Sequence, residues 1–387
     1  MKYPLASDTW NEEEIEAINE VVASGKYTLG SKVNQFEESF AKYHNKKYAV
    51  MTNSGSSANL LMLSAFHHHE DYPEKGNIIV PGVSWSTTYF PVSQLGYKLK
   101  FVDINNQTFN LDEDLVEEAI DEETVAIFAV NLLGNCCNLE KLLELSKKAK
   151  ISLFEDNCES LGSRFNERLS GTFGLMSSFS FFFSHHLQTM EGGMVLTDSQ
   201  ELADYLKSLR AHGWIRDLEV NNSIYQKTGS KFHDSFKFVL PGYCLRPLEM
   251  SGAVGKVQLK KWPEMLKIRR ENASYFQKKI KEVDHLVLQK EVGESSWFGF
   301  GLVCEDIISD KRDAIVNYLE SNGIECRPIV AGNFTNNPVI NRLDHEIYKE
   351  LANSEIIDRS GFFIGNDSRP LNKEIDFFVK TVNDCLK

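Results

Sequence analysis

The strongest constraint on this chain is an alternation that runs from Tyr48 to Thr197: short apolar stretches rich in Val, Ile and Phe, each followed by a helical pattern. The pattern predicts strands over 48–51, 77–80, 99–102, 125–129 and 151–154, and two more in 178–183 and 194–197. Between them, an apolar-periodic helix is expected from the Asn53–Ser57 turn through Phe66, and an amphipathic one over Leu139–Ala149. Strands alternating with helices build βαβ units and a mostly parallel sheet. Strands that are apolar on both faces suit a sheet covered by helices on both sides. The fold class is therefore α/β, with an N-terminal segment and large domain over 1–250. A mostly helical stretch over 249–283, a strand over 296–303 and a helix over 309–322 predict a smaller α+β domain over 251–387.

Charge narrows the function. Among 387 residues, 42 Lys and Arg stand against 55 Asp and Glu, a net charge of −13. A nucleic-acid partner would need a basic face, so that class is disfavoured. A small anionic ligand is not, because a few Arg side chains and helix N-termini can hold phosphate on an acidic protein. The first residues, Met1 to Asp8, lack a signal-peptide core, and no apolar run approaches the roughly 18 residues of a membrane span. Seven scattered Cys then read as reduced thiols in a cytoplasmic protein. His67-His68-His69 is expected to be a solvated loop rather than a metal site, since metal ligands are spaced along one face.

Functional side chains of open α/β sheets gather at the carboxyl ends of the strands. Four clusters fall there. Ser54-Gly55-Ser56-Ser57 joins a strand to a helix, and its small residues and free N–H groups suit a phosphate. A plain helix N-cap explains it equally well. Asp156 ends the strand over 151–154, where a carboxylate often merely caps the next element. Trp85 is either core or an aromatic platform for a flat ligand. The last cluster is His185-His186 between an aromatic strand and Glu191-Gly192-Gly193. Adjacent His side chains point apart on most backbones, so no metal site is expected.

In this order, and together with Gly30, Phe36-Glu37 and Gly242-Tyr243, the clusters resemble the sugar-modifying branch of the pyridoxal-phosphate-dependent aspartate-aminotransferase fold. The resemblance spans essentially the whole chain. It implies a pyridoxal 5′-phosphate or pyridoxamine 5′-phosphate cofactor. Asp156 would pair with the pyridine nitrogen, Trp85 would stack on the ring, and Gly55, Ser56 and Ser180 would hold the phosphate. Glu159 would stand next to the ring hydroxyl. Aminotransferases of this branch carry a lysine five residues after the serine. Here that position, counted from Ser180 and back from Glu191, is His185. An imidazole forms no stable Schiff base, but it moves protons near neutral pH.

A histidine there marks the sugar 3-dehydratases of the branch. The resemblance then implies loss of the C-3 hydroxyl from a GDP-linked 4-keto-6-deoxy sugar, with L-glutamate as amino donor. His185 would be the acid and base, with a pKa near working pH. Arg246 and Arg327 are the candidates for the nucleotide diphosphate, with Arg210 and Arg216 behind them. A homodimer with shared sites is also implied, in which Arg246 serves the partner. An iron–sulfur variant of this chemistry would need about four converging thiolates, whereas Cys136 and Cys137 are adjacent and the other Cys distant. His186 is expected to be a packing residue, and Cys244 and Cys326 to have no role. The competing readings are a nucleotide-sugar aminotransferase and a binding module without catalysis.

Overall fold

A computed structural model describes residues 2–387. The expected strands form, each within a few residues of its predicted limits: β1 Tyr48–Thr52, β2 Asn77–Pro81, β3 Lys98–Val102, β4 Thr124–Val130 and β5 Ser152–Asp156. A short ribbon follows, β6 Arg164–Phe165 with β7 Arg168–Leu169, and then β8 Met176–Ser180 and β9 Gly193–Thr197. The C-terminal region supplies β10 Leu286–Leu288, β11 Gly299–Cys304, β12 Cys326–Arg327, β13 His345–Ile347 and β14 Gly361–Gly365.

The large sheet has the order β1-β9-β8-β5-β4-β2-β3-β13. Only β9 runs against its neighbours; every other pairing is parallel. The carboxyl ends of β1, β2, β4, β5 and β8 therefore share one edge. Val80, Phe101, Phe128 and Phe154 fill the core on one face against helix Gly55–His68. Ile79, Val102, Ile127 and Leu153 fill the other against helix Leu139–Ala149. Side chains on alternate residues thus enter two cores, as strands covered on both faces require.

Two predictions are corrected. The expected strand over 178–183 stops at Ser180. Beyond it Phe182 and Phe183 are exposed, and Phe181 N–H donates to Gly192 O at 2.9 Å across a turn. The aromatic run has β propensity, but the close seat of Gly193 against Ser54 O fixes where the chain rejoins the sheet. A Cβ at Gly193 would come within 2.2 Å of that oxygen. Nor is the triple histidine a solvated loop. His67 and His68 end the helix, and His69 is buried, its Nδ1 accepting from Asp71 N–H at 3.2 Å and its Nε2 lying 3.3 Å from Glu201.

The small antiparallel sheet has the order β10-β11-β14-β12. Its core stacks Phe276 on Phe300 at 4.1 Å. Helix Glu249–Lys279 links the two sheets. At its start Glu249 accepts from the N–H groups of Gly30, Lys32 and Val33 at 2.7–2.9 Å, capping helix Ser31–Tyr43. Toward its end Phe276 enters the small core. The chain termini interleave: Tyr3 is buried in the small core, while β13 from the C-terminal region extends the large sheet beside β3. No helix of the described residues is long and apolar enough to cross a membrane.

Candidate active site

The shared strand edge opens into a cavity of about 610 Å³. Gly55, Ser56, Trp85, Asp156, Glu159, Ser180, His185 and Arg327 all line it. Arg246 does not. It lies instead near Trp214, with its guanidinium 5.8 Å from that ring, and Nη2 reaches Cys244 Sγ at 3.5 Å.

Asp156 sits at the cavity floor and is nearly buried. Its Oδ2 accepts from Asn59 Nδ2 at 2.8 Å and Thr88 Oγ1 at 3.0 Å, and its Oδ1 from Cys158 N–H at 3.1 Å. Asn59 is itself fixed by Ser178 Oγ and by Thr87 O. Three donors hold this carboxylate, yet no Lys, Arg or His of the described residues pairs with it. A buried anion facing a cavity without a countercation fits a ligand that brings its own positive group.

The phosphate cup is built from small residues. Ser54 Oγ caps helix Gly55–His68 by accepting from Ser57 N–H at 3.1 Å. Gly55 and Ser56 both line the cavity, and their amides, in the first turn, have no partner inside the helix. A Cβ on Gly55 would stand 2.5 Å from Ser180 Cβ, so only glycine lets the helix start seat against the end of β8. The N-cap reading of this motif holds, and the same turn keeps free amides of the kind that suit an anion. The residues present fit a phosphorylated cofactor with a protonated heterocycle. Trp85 is exposed at the rim.

His185 Nδ1 stands 2.7 Å from Cys158 O. A carbonyl only accepts, so Nδ1 carries the proton and Nε2 keeps its lone pair. Burial pushes the His185 pKa down to about 4, with the Arg269 cation adding to the fall, while the Cys158 carbonyl and the Asp156 carboxylate act the other way. The imidazole is a neutral base at pH 7, and the expectation of a value near working pH gives way to burial. Glu159 shows the converse: burial and the nearby Asp156 charge raise its carboxyl to about 7, against the stabilising N–H of Leu133 at 2.9 Å. His186 is buried between Trp262 and Phe298 at 5.1 and 5.5 Å, and it does not line the cavity.

The arginines separate. Arg327 lines the cavity from β12 of the small sheet and is exposed, with Nη1 donating to Cys326 O at 2.8 Å. Arg210 is buried against Glu37 at 2.6 Å and Met51 O at 2.7 Å, so its charge is spent on helix Ser31–Tyr43 and β1. Arg216 lies 3.5 Å over the Trp214 ring. Sequence reasoning missed Asn59 and Thr88, which aim Asp156. A lone Asn inside the apolar run Ala58-Asn59-Leu60-Leu61-Met62 was the available signal, because a buried amide needs a partner.

The fold and the strand-edge constellation define an aspartate-aminotransferase-like protein, as the sequence predicts. The chain belongs to the DegT/DnrJ/EryC1/StrS aminotransferase family, which matches residues 8–376. It is 48% identical over 381 residues to the GDP-4-keto-6-deoxy-D-mannose 3-dehydratase of Escherichia coli O55:H7, covering 97% of this chain and 98% of that one. The structure of the E. coli GDP-4-keto-6-deoxy-D-mannose-3-dehydratase with bound hydrated PLP superposes with a TM-score of 0.96 and 47% identity, covering 99% of each chain. A GDP-4-keto-6-deoxymannose-3-dehydratase with a trapped PLP-glutamate geminal diamine also gives 0.96 at 47% identity, covering 98% of this chain and all of the other.

Proposed function

We propose that this protein is a pyridoxal-phosphate-dependent 3-dehydratase. It converts GDP-4-keto-6-deoxy-D-mannose into GDP-4-keto-3,6-dideoxy-D-mannose at the expense of L-glutamate. The observation that carries the reading is His185: a neutral imidazole at the cavity wall, in a cavity whose described lining contains no lysine. Near-full-length identity to proteins named for this reaction supports the substrate.

The cofactor, when bound, supplies the amine and the electron sink. The chain's own groups do the rest. Asp156, oriented by Asn59, Thr88 and Cys158 N–H, holds a proton on the heterocyclic nitrogen. The Gly55 and Ser56 amides with Ser180 Oγ bind the phosphate, and Trp85 covers the ring. His185 accepts a proton on Nε2 and returns it to the departing C-3 oxygen, while Cys158 O keeps the opposite nitrogen protonated throughout. Glu159 would stand beside the ring hydroxyl, with a carboxyl that burial raises to about 7. A lysine at 185 would capture the cofactor covalently and favour amino transfer; the imidazole leaves the cofactor amine free for the sugar.

Arg327 meets the nucleotide diphosphate from the small domain. Arg246 lies outside this cavity, which supports a homodimer in which it serves the partner's site; the exposed Phe182 at the rim, with Phe183 next to it in the chain, is apolar surface for such an interface. The reading places the enzyme in the cytoplasm.

The test is a product mass. With GDP-4-keto-6-deoxymannose, L-glutamate and the holoenzyme, the product is one oxygen lighter than the substrate, with equal amounts of 2-oxoglutarate and ammonia. A 4-amino sugar that keeps its 3-hydroxyl defeats the reading in favour of an aminotransferase. Failure to take up pyridoxal phosphate favours a non-catalytic module.

A further inference from the structure

Phe298 immediately precedes β11 of the small sheet and does not line the cavity, yet its ring lies 5.1 Å from the His185 ring, nearly edge-on at 65°. It touches His186 from the same side, at 5.5 Å. Two hydrogen bonds pin its backbone. Phe298 N–H donates to Leu133 O at 3.0 Å, and Arg269 Nη2 donates to Phe298 O at 2.8 Å. Leu133 adopts φ 53°, a left-handed conformation that costs free energy for a residue with a Cβ. That conformation makes one residue serve two neighbours: its C=O receives Phe298, and its N–H donates to Glu159 Oε2 at 2.9 Å. Arg269, which fixes the other end of Phe298, is buried and also donates to Trp297 O at 3.2 Å.

The backbone of Phe298 is thus held from the large domain by Leu133 and from the long helix by Arg269. Its ring meets both imidazoles and has Phe363 6.5 Å away. His185 is then confined between that ring and Cys158 O, the acceptor that selects the Nδ1–H tautomer. We propose that Phe298 is a positioning residue: it presses the His185 imidazole onto the Cys158 carbonyl and so keeps Nε2, unprotonated, toward the cavity. The proposal rests on the reading of His185 as the acid and base. A consequence follows for domain cooperation. The small domain contributes the orientation of the proton-transfer group as well as the cover over the cavity.

The experiment uses the holoenzyme with ¹⁵N-labelled histidine, assigned through His185→Asn. In wild type at about pH 7, His185 shows the signature of the Nδ1–H tautomer alone. Phe298→Ala should give a mixture of tautomers. It should also lower kcat by at least about tenfold while KM for the sugar changes less than about twofold, because orientation and not binding is lost. Phe298→Tyr, which keeps the ring, should restore both readouts. If Phe298→Ala does not fold, Phe298→Leu carries the test, with a smaller shift in the same direction. An Nδ1–H signal and a kcat identical to wild type in the folded Ala or Leu variant overturn the proposal. A tautomer shift in a protein whose wild type does not deoxygenate the sugar overturns the functional reading and leaves the positioning role standing.

Discussion

The cavity has two walls, and they are built differently. On the side of the large sheet these groups sit at or just past the end of a strand: Gly55 and Ser56 after β1, Asp156 at the end of β5, Ser180 at the end of β8. The sheet itself sets their spacing. On the other side Arg327 and Phe363 come from the small antiparallel sheet, where they pair, and Val330 from the turn after β12. Only the packing of the small sheet's region on the large one brings these to the cavity. The difference teaches a division of labour. On the proposed reading, the groups lining the cavity that hold or move protons stand at or past the strand ends, and the cation that meets the nucleotide stands on the cover. Substitutions in the first wall should therefore cost turnover, and those in the second should cost binding.

The sharpest test is His185→Asn. It keeps a polar side chain but removes the proton carrier, so kcat should fall by about 10³ or more. Pyridoxal phosphate uptake, followed by absorbance, should persist. A loss of uptake equal to the loss of turnover would mean that His185 belongs to the binding shell and would blur the comparison. Asp156→Asn comes next. The three donors that hold the carboxylate would then face an amide without charge, and the heterocyclic nitrogen would lose its proton. We expect a fall of about 10² in kcat, measured with saturating cofactor. Arg327→Ala should do the opposite, raising KM for the GDP-sugar about tenfold with kcat within about twofold. A kcat effect as large as that of Asp156→Asn would break the division between the walls.

How far the sequence foretold this follows the same line. The wall at the strand ends was legible because strand ends can be read from apolar runs, and a small-residue turn or a carboxylate after such a run has a short list of uses. Asp156 and Gly55 were reached that way; Ser180 lay inside the strand expected over 178–183, and its role came only with the family resemblance. What aims them was not legible, because Asn59 and Thr88 act across 97 and 68 residues of chain. Phe298 was invisible for the same reason: it lay within the strand expected over 296–303, which starts only at Gly299, and its partners Leu133 and Arg269 are distant in sequence. Arg210 was misjudged because nothing local shows that Glu37, far away in sequence, claims its charge. The aromatic run after Ser180 misled in another way: local β propensity was real, but tertiary geometry at Gly193 overrode it.

The smallest effect concerns two titratable groups in the cavity, with opposite signs. Burial raises the Glu159 carboxyl from 4.5 to about 7. The folded state therefore holds this proton more tightly than the unfolded chain does. Its contribution to stability is complete below about pH 4.5 and is lost as pH rises through 7. His185 is displaced downward, from 6.5 to about 4, so the unfolded chain binds its proton more tightly. That group costs stability as pH falls from 6.5 toward 4. Below about pH 6.5 the two slopes oppose each other, and between about pH 6.5 and 7.5 Glu159 acts almost alone. Glu159→Gln keeps an acceptor for Leu133 N–H but cannot titrate. Its melting temperature relative to wild type should rise across that window by about 1–2 °C, since a half-buried group is partly screened. His185→Asn should leave the window flat and gain relative to wild type only on the acid side. Parallel melting curves for wild type and Glu159→Gln from about pH 6 to 8 would show that water, and not the protein interior, sets this carboxyl's charge.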